Sequence, residues 1–380
     1  MGRHNSGCRR PEFALPPRSS HSFCLPTSAR LRDNNFDLLR LLFAATVCLV
    51  HAHLLSGFAA LAAFSAILSS VVAVKAFFVV SGFLIVMSYE RSHTLGDYAQ
   101  KRLRRIYPAY AAVVVLCAVG LVTVSSQSAA DYFFSVAWFK YLLANLAFLN
   151  FVQPSLPGVF DGNLVNAVNG ALWTLKIEVM FYLSVPVLVW LMRRLGHGRI
   201  LLLAYAASIV YAQVLMGMAD RTGSGLYAEL ARQLPGQLSY FVAGAALYYY
   251  LAWFERHAWR CLTGAAVALA ALHWVPPLQA SLALLEPLAL AMVVVFLGLF
   301  GYLGRFGRYG DFSYGLYILH FPIIQLLLHS GWFRDAPGTF LATVLLTSMA
   351  GAVLLWHGVE KRWLLRSSHY VAAEQVAKDR

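Results

Sequence analysis

The sequence predicts an all-α, polytopic transmembrane helical bundle of about ten spans with both termini cytoplasmic. Three observations carry that prediction. Of the 380 residues, 59% are hydrophobic and only 12% charged, at a mean hydropathy of +0.63; a water-soluble domain carries more charge. Apolar runs of about 18 to 22 residues recur along the chain, the length a helix needs to cross the hydrocarbon core. Basic residues gather at the ends of those runs. The net charge is +13 and the pI near 9.7, which in a soluble protein would suggest nucleic acid. At the ends of apolar runs it instead sets orientation and meets anionic lipid or substrate, so no nucleic-acid partner is expected.

Taken in order, residues 1–35 are rich in Arg, Pro and Ser and hold no apolar run, which predicts a disordered basic cytoplasmic leader. A transmembrane domain is expected over 36–362 and a short cytoplasmic tail over 363–380. The expected spans are 36–55, 69–89, 106–124, 172–192, 199–217, 237–254, 261–275, 281–301, 312–330 and 339–358. Residues 58–68 are apolar enough to lengthen the second span, and the short apolar segment 137–152 reads as re-entrant or interfacial. About 23 of the 30 Lys and Arg fall in the leader, the tail and one set of connections, and four fall in the other set. The positive-inside rule makes the first side cytoplasmic, and an inner-membrane location is expected. Cys8, Cys24, Cys48, Cys117 and Cys261 form no CxxC pair, so neither a disulfide framework nor a structural metal site is expected.

Five constellations place polar groups inside apolar runs, where charge is costly and marks function by default. The first is FDLLRLLFAATVCLVHAHLL, residues 36–55. At about 100° per residue, Arg40 and His51 lie about 20° apart around the helix, and Asp37 falls within about 40° of His51. These three share one stripe, whereas His53 points about 160° away from His51. A histidine can take a proton from a hydroxyl at neutral pH. The plainer reading has Asp37 and Arg40 snorkelling at the interface. The second is KAFFVVSGFLI, residues 75–85, where Ser81 and Gly82 favour close helix packing. The third is KRLRRIYPAY, residues 101–110. Arg102 and Arg105 are neighbours at i,i+3, flanked by Lys101 and Arg104. This patch can grip phosphates, or simply face lipid headgroups. Pro108 is expected near the start of its helix. The fourth is ALWTLKIEVMFYL, residues 171–183. Trp173 sits as an interface anchor, Glu178 needs a partner at its depth, and Tyr182 comes one turn later. Lys176 is expected to snorkel outward. The fifth is GDFSYGLYILHFPI, residues 310–323. His320 lies mid-span with Tyr317 a turn before it, and packing alone could account for it.

In this order, FDLLR…H, FFVVSGFLI, RLRRIYPAY, LWTLKIEVMFYL and FSYGLYILHFPI resemble acyltransferase family 3, the multispan membrane O-acyltransferases, over about residues 33–362. The resemblance implies ten or eleven spans and transfer of an acyl group, usually acetyl, from acyl-CoA to a glycan. Acetyl-CoA is then a donor substrate rather than a bound cofactor. The family's first-helix arginine and histidine fall on Arg40 and His51, its acyl-CoA-holding arginines on Arg102 and Arg105, its tryptophan and glutamate on Trp173 and Glu178, and its late histidine on His320. One departure is Lys176-Ile177-Glu178 where the family often has Ser-Val-Glu.

These readings combine into an expected O-acetyltransferase with His51 as general base or acyl carrier, Arg40, Asp37 and Glu178 beside it, and Arg102, Arg105, Lys101 and Arg104 at the donor. Ser81, Trp173, Tyr182, Tyr317 and His320 would line or support the pocket. The expected partners are acyl-CoA, a glycan or glycolipid acceptor and membrane lipids. A secondary transporter with Asp37, Glu178 and His320 as a proton relay is the rival class. No inverted repeat or Gly/Pro-broken pair of spans favours it.

Overall fold

The computed structural model describes residues 28–275 and 283–365. The ten principal helices are α1 Phe36–Ser56, α2 Ser70–Glu90, α3 Leu95–Gly120, α4 Trp173–Leu195, α5 His197–Thr222, α6 Leu234–Tyr249, α7 Leu251–Trp274, α8 Glu286–Leu299, α9 Phe312–Ser330 and α10 Pro337–Leu355. No strand occurs among the described residues. Among the described residues, seven helical stretches are long and apolar enough to cross a membrane: α1, α2, Leu95–Val124, Gly170–Leu195, α5, α9 and Pro337–Trp363. The apolar α8 is shorter, as is the 16-residue α6. The charged first turns of α7 carry Glu255, Arg256 and Arg260.

The largest departure from the sequence reading is α3. Its helix starts at Leu95, eleven residues before the expected limit. Thr94 caps it by accepting from the Asp97 amide at 3.0 Å, a cap of the kind Ser, Thr and Asp supply. The basic run 101–105 is therefore helical, and Pro108 lies inside the helix. The ring removes the amide that would bond the Arg104 carbonyl. α7 likewise begins at Leu251 and takes in the basic segment before 261. Residues 58–68 do not extend the second span but form a 3₁₀ turn and the separate helix Ala62–Ile67. The segment around 137–152 forms the helix Val136–Leu146 and then a series of turns. Lys176 sits over the Phe151 ring at 4.7 Å. Residues 1–27 of the expected leader, the connection 276–280 and residues 366–380 of the tail lie outside the described residues. Residues 28–35 are fixed by Asn35, whose Nδ2 donates to the Leu297, Phe300 and Gly301 carbonyls and whose Oδ1 accepts from the Leu303 amide.

The core is set by α2 and α6, which cross at glycines. A Cβ on Gly82 would lie 1.9 Å from the Phe241 carbonyl oxygen, and one on Gly244 would lie 2.1 Å from that of Val79. Backbones approach this closely only where side chains are absent. Aromatic rings fill the flanks, with Phe181 stacked on Phe241 at 4.4 Å and Phe83 edge-on to Tyr248. At one end of this pair Lys75 bonds Glu286 of α8 at 2.6 Å. At the other, buried Glu90 accepts from Arg193 at 3.0 Å and from the Tyr249 hydroxyl at 2.7 Å. α9 packs between α1 and α10, and twelve of its residues are buried, including His320 and Gln325. After α10 the chain makes one π-helical turn, Trp356–Glu360, which ends on buried Glu360.

Replacing Gly244 by Ala should destabilise the detergent-solubilised protein by about 1–3 kcal/mol, the usual cost of overpacking. Gly264→Ala, where nothing lies within 4 Å of the added carbon, should leave the thermal midpoint unchanged or raise it.

Candidate active site

A narrow cavity runs between α1, α2, α3, α4 and α9. Its wall on α2 extends from Val74 to Ile85, about 16 Å of helix rise. Seven of the residues nominated from sequence line it: Arg40, Ser81, Arg102, Arg105, Glu178, Tyr182 and Tyr317. They come from five helices, so their meeting is a product of the fold and not of local spacing.

The end bearing the arginines is held by carboxylates. Asp311 is 1% exposed and accepts from Arg40 at 2.6 Å and from Arg105. Arg105 also donates to Glu360 at 2.8 Å, and Glu360 is likewise 1% exposed. Asp311 caps α9 as well, accepting from the Ser313 amide at 3.1 Å and from the Ser313 hydroxyl. Charge-assisted bonds of this kind are among the strongest a protein makes. Arg102 is placed differently. Its guanidinium donates to the Ser88 hydroxyl at 3.1 Å and lies 5.7 Å from the Tyr182 ring. Across the cavity, the Tyr182 hydroxyl donates to Glu178 at 2.7 Å, while Tyr98 holds the Tyr182 carbonyl at 3.0 Å.

Beyond the far end of the cavity, α1 and α9 bring two histidines together. His51 Nδ1 and His320 Nε2 are 2.9 Å apart, and the rings stack at 5.1 Å. The chain determines the tautomers. His320 Nδ1 lies 3.2 Å from the Leu316 carbonyl, which can only accept, so this nitrogen carries the proton. A neutral His320 then has an accepting Nε2, and His51 Nδ1 must donate to it. His51 Nε2 is left with a free lone pair, the arrangement of a general base oriented by a second group. His320 is fully enclosed and His51 is partly exposed, so His51 is the accessible member. His53 turns away and donates from Nδ1 to the Phe58 carbonyl at 3.1 Å, as its position on the helix requires. Tyr317 connects the two: its ring lines the cavity beside Phe77, 5.6 Å away, and meets the His320 ring edge-on at 5.8 Å. The Tyr317 hydroxyl is fixed by Thr174 at 2.8 Å.

A long connection covers the dyad from the end away from the arginines. Gln325 donates to the Val165 and Ala167 carbonyls and accepts from Asn163, and Asn169 donates to the Ile318 carbonyl at 2.8 Å. A Cβ on Gly170 would meet the Phe321 ring at 2.8 Å, and that ring stands edge-on to His51. The His320 ring thus stacks on His51 while the Phe321 ring meets it edge-on.

The remaining nominated residues stand apart from the cavity lining. Asp37 occupies the first turn of α1, where a carboxylate complements the helix N-terminus. Lys101 turns back to the Ser92 hydroxyl at 3.1 Å, and Arg104 does not line the cavity. Trp173 begins α4 and packs against the core one residue before the lining Thr174.

Residues 33–357 match the acyltransferase 3 family, described as an acyltransferase domain. The chain belongs to that family. An O-acetyl transferase of Shigella phage Sf6 is 26% identical over 343 residues, 89% of this chain and 98% of the relative. A nodulation protein 10 of Rhizobium leguminosarum bv. viciae is 32% identical over 182 residues, 46% of this chain and 49% of the relative. No solved structure matches. Family membership makes the chain a membrane acyltransferase and sets the transporter reading aside.

Reasoning from the sequence misses Thr174, which lines the cavity, and Asp311 and Glu360, which hold its arginines. A signal exists for Asp311, since Asp-Phe-Ser at the head of an apolar run is an N-cap pattern. Glu360 reads in the sequence only as part of a charged connection. In the acyltransferase, His320→Gln retains an acceptor for His51 Nδ1 and His320→Leu does not. Initial rates of acyl transfer in membranes should therefore fall at least tenfold further for the leucine variant.

Proposed function

We propose that this acyltransferase is an inner-membrane O-acetyltransferase that moves acetyl from acetyl-CoA to a hydroxyl of a surface or lipid-linked glycan. The observation that carries the reading is the His51–His320 pair, which touches the lining residue Tyr317 through His320, beside a cavity lined by Arg40, Arg102 and Arg105. The phage relative's name supports O-acetyl transfer. All ten principal helices cross, the arginine end faces the cytoplasm, and both termini lie inside, in keeping with the basic connections.

The donor docks from the cytoplasm with its phosphates at the end where Arg102 and Arg105 meet the cavity. The pantetheine arm, about 15–20 Å long and so comparable to half the bilayer, is similar in length to the α2 wall of the cavity, Val74 to Ile85. The Phe77 ring turns aside to bring the thioester to His51. The acceptor reaches His51 from the opposite side, past the connection pinned by Gln325. His51 Nε2 takes the hydroxyl proton as the oxygen attacks the thioester carbonyl. The tetrahedral intermediate then expels the CoA thiolate, the C–S bond breaks, and the thiolate takes the proton from His51. Ester and CoA thiol leave, and the base is restored. Glu178, held by Tyr182, balances the cations along the cavity.

Membranes given labelled acetyl-CoA and extracted glycolipid should yield an alkali-labile labelled ester. His51→Ala should insert normally and reduce the label at least 1000-fold; normal labelling by that variant excludes the assignment. For orientation, a cysteine introduced at Ser126 should react with an impermeant maleimide from outside intact cells, and one at Arg305 only after lysis. The reverse pattern would invert the topology.

A further inference from the structure

Arg102 and Arg105 sit three residues apart on one helix and line one cavity, yet their surroundings differ in kind. Arg105 has two carboxylate partners on two separate segments, Asp311 at the head of α9 and Glu360 after α10. The Tyr314 and Trp356 rings lie about 6 Å from its guanidinium carbon. Arg40 shares Asp311 with it. The two guanidiniums and two carboxylates sum to zero charge. A neutral, buried set of this kind has little left to attract an incoming anion, and removing one member leaves an uncompensated charge.

Arg102 is the contrary case. Among the described residues its hydrogen-bond partner is a neutral hydroxyl, that of Ser88, and its Nε is buried with no partner at all. A guanidinium that lines a cavity and has a buried, unsatisfied N–H is short of one acceptor, and phosphate oxygens suit its fork geometry.

Asp311 also acts at a distance. It ties α1 to α9 through Arg40, and the same two helices meet again at His51 and His320. The two ties are eleven residues apart on α1 and nine on α9, so about 16 Å and 13 Å of helix rise separate them. The first contact sets the sliding and rotation that the second needs.

Resting on the acetyl-CoA reading above, we infer that Asp311 is a positioning residue that occupies Arg40 and Arg105 in holding α1 and α3 to α9, leaving Arg102 as the cation that takes the donor's phosphate. The two arginines therefore do different work. Arg102 binds donor. Arg105 and Asp311 keep His51 in register with His320.

The test uses the full-length protein in nanodiscs, with acetyl-CoA as donor and glycolipid extracted from the same membranes as acceptor. Arg102→Gln should raise KM for acetyl-CoA at least tenfold with kcat within threefold of the unchanged protein. Arg105→Gln and Asp311→Asn should lower kcat at least thirtyfold. For Asp311→Asn, KM should stay level or fall, because two guanidiniums lose their counter-charge and the cavity becomes more attractive to an anion. General loss of structure would move KM upward instead. Asp311→Glu keeps the charge but is longer by one methylene, and should lower kcat with KM unchanged; it carries the test if the asparagine variant does not assemble. Arg105→Gln raising KM as Arg102→Gln does, with kcat retained, would overturn the division. So would an Asp311 variant with kcat within threefold. Failure of the unchanged protein to use acetyl-CoA at all would instead sink the donor reading and is seen before any variant is made.

Discussion

One carboxylate governs the geometry of this protein. Asp311 is buried, is gripped by guanidiniums from α1 and α3, and begins α9 by capping it. Charges in such a setting are desolvated, and their attraction offsets the loss only when the geometry is good and the remaining bonds are filled. The arrangement meets those conditions, with Glu360 supplying the second anion for Arg105. Three helices that carry the cavity wall are thereby joined at one atom cluster, which fixes the position of every residue further along them.

The consequence for chemistry is a division of the cavity along its length. Arginines line one end, aromatic and small side chains the rest, and the histidine pair lies outside the lining, next to Tyr317. A thioester is apolar and uncharged compared with the nucleotide that carries it. In the proposed reaction, a passage charged at its mouth and apolar inside would admit the arm of such a molecule and keep its phosphates outside. Phe321 stands edge-on to His51, and the neighbouring connection is pinned to Gln325.

Much of this is legible in the chain because intramembrane polar residues are rare and each is informative. The shared stripe of Arg40 and His51, and the opposite face taken by His53, come from helix pitch alone. The family resemblance rests on five motifs in order and is matched over residues 33–357. Pairing across long separations is what the chain does not reveal. Asp311 stands 271 positions from Arg40, and His320 stands 269 from His51. No periodicity within one helix reports such partners. Helix limits fail for a related reason. Hydropathy weighs apolar content, so the charged first turns of α3 and α7 look like connections although they are helical. Pro108 then suggests a beginning where the structure has an interior.

The π-helical turn at Trp356–Glu360 has a bearing on how this part of the chain tolerates change. Such a turn carries one residue more than an α-helix would use for the same advance. That surplus residue rotates the rest of the segment by about 100°, and here it delivers Glu360 to Arg105. Length, and not only composition, is thus constrained in this segment. Loss of a single codon would restore regular winding and swing the carboxylate toward the outside of the bundle, even with every remaining side chain intact.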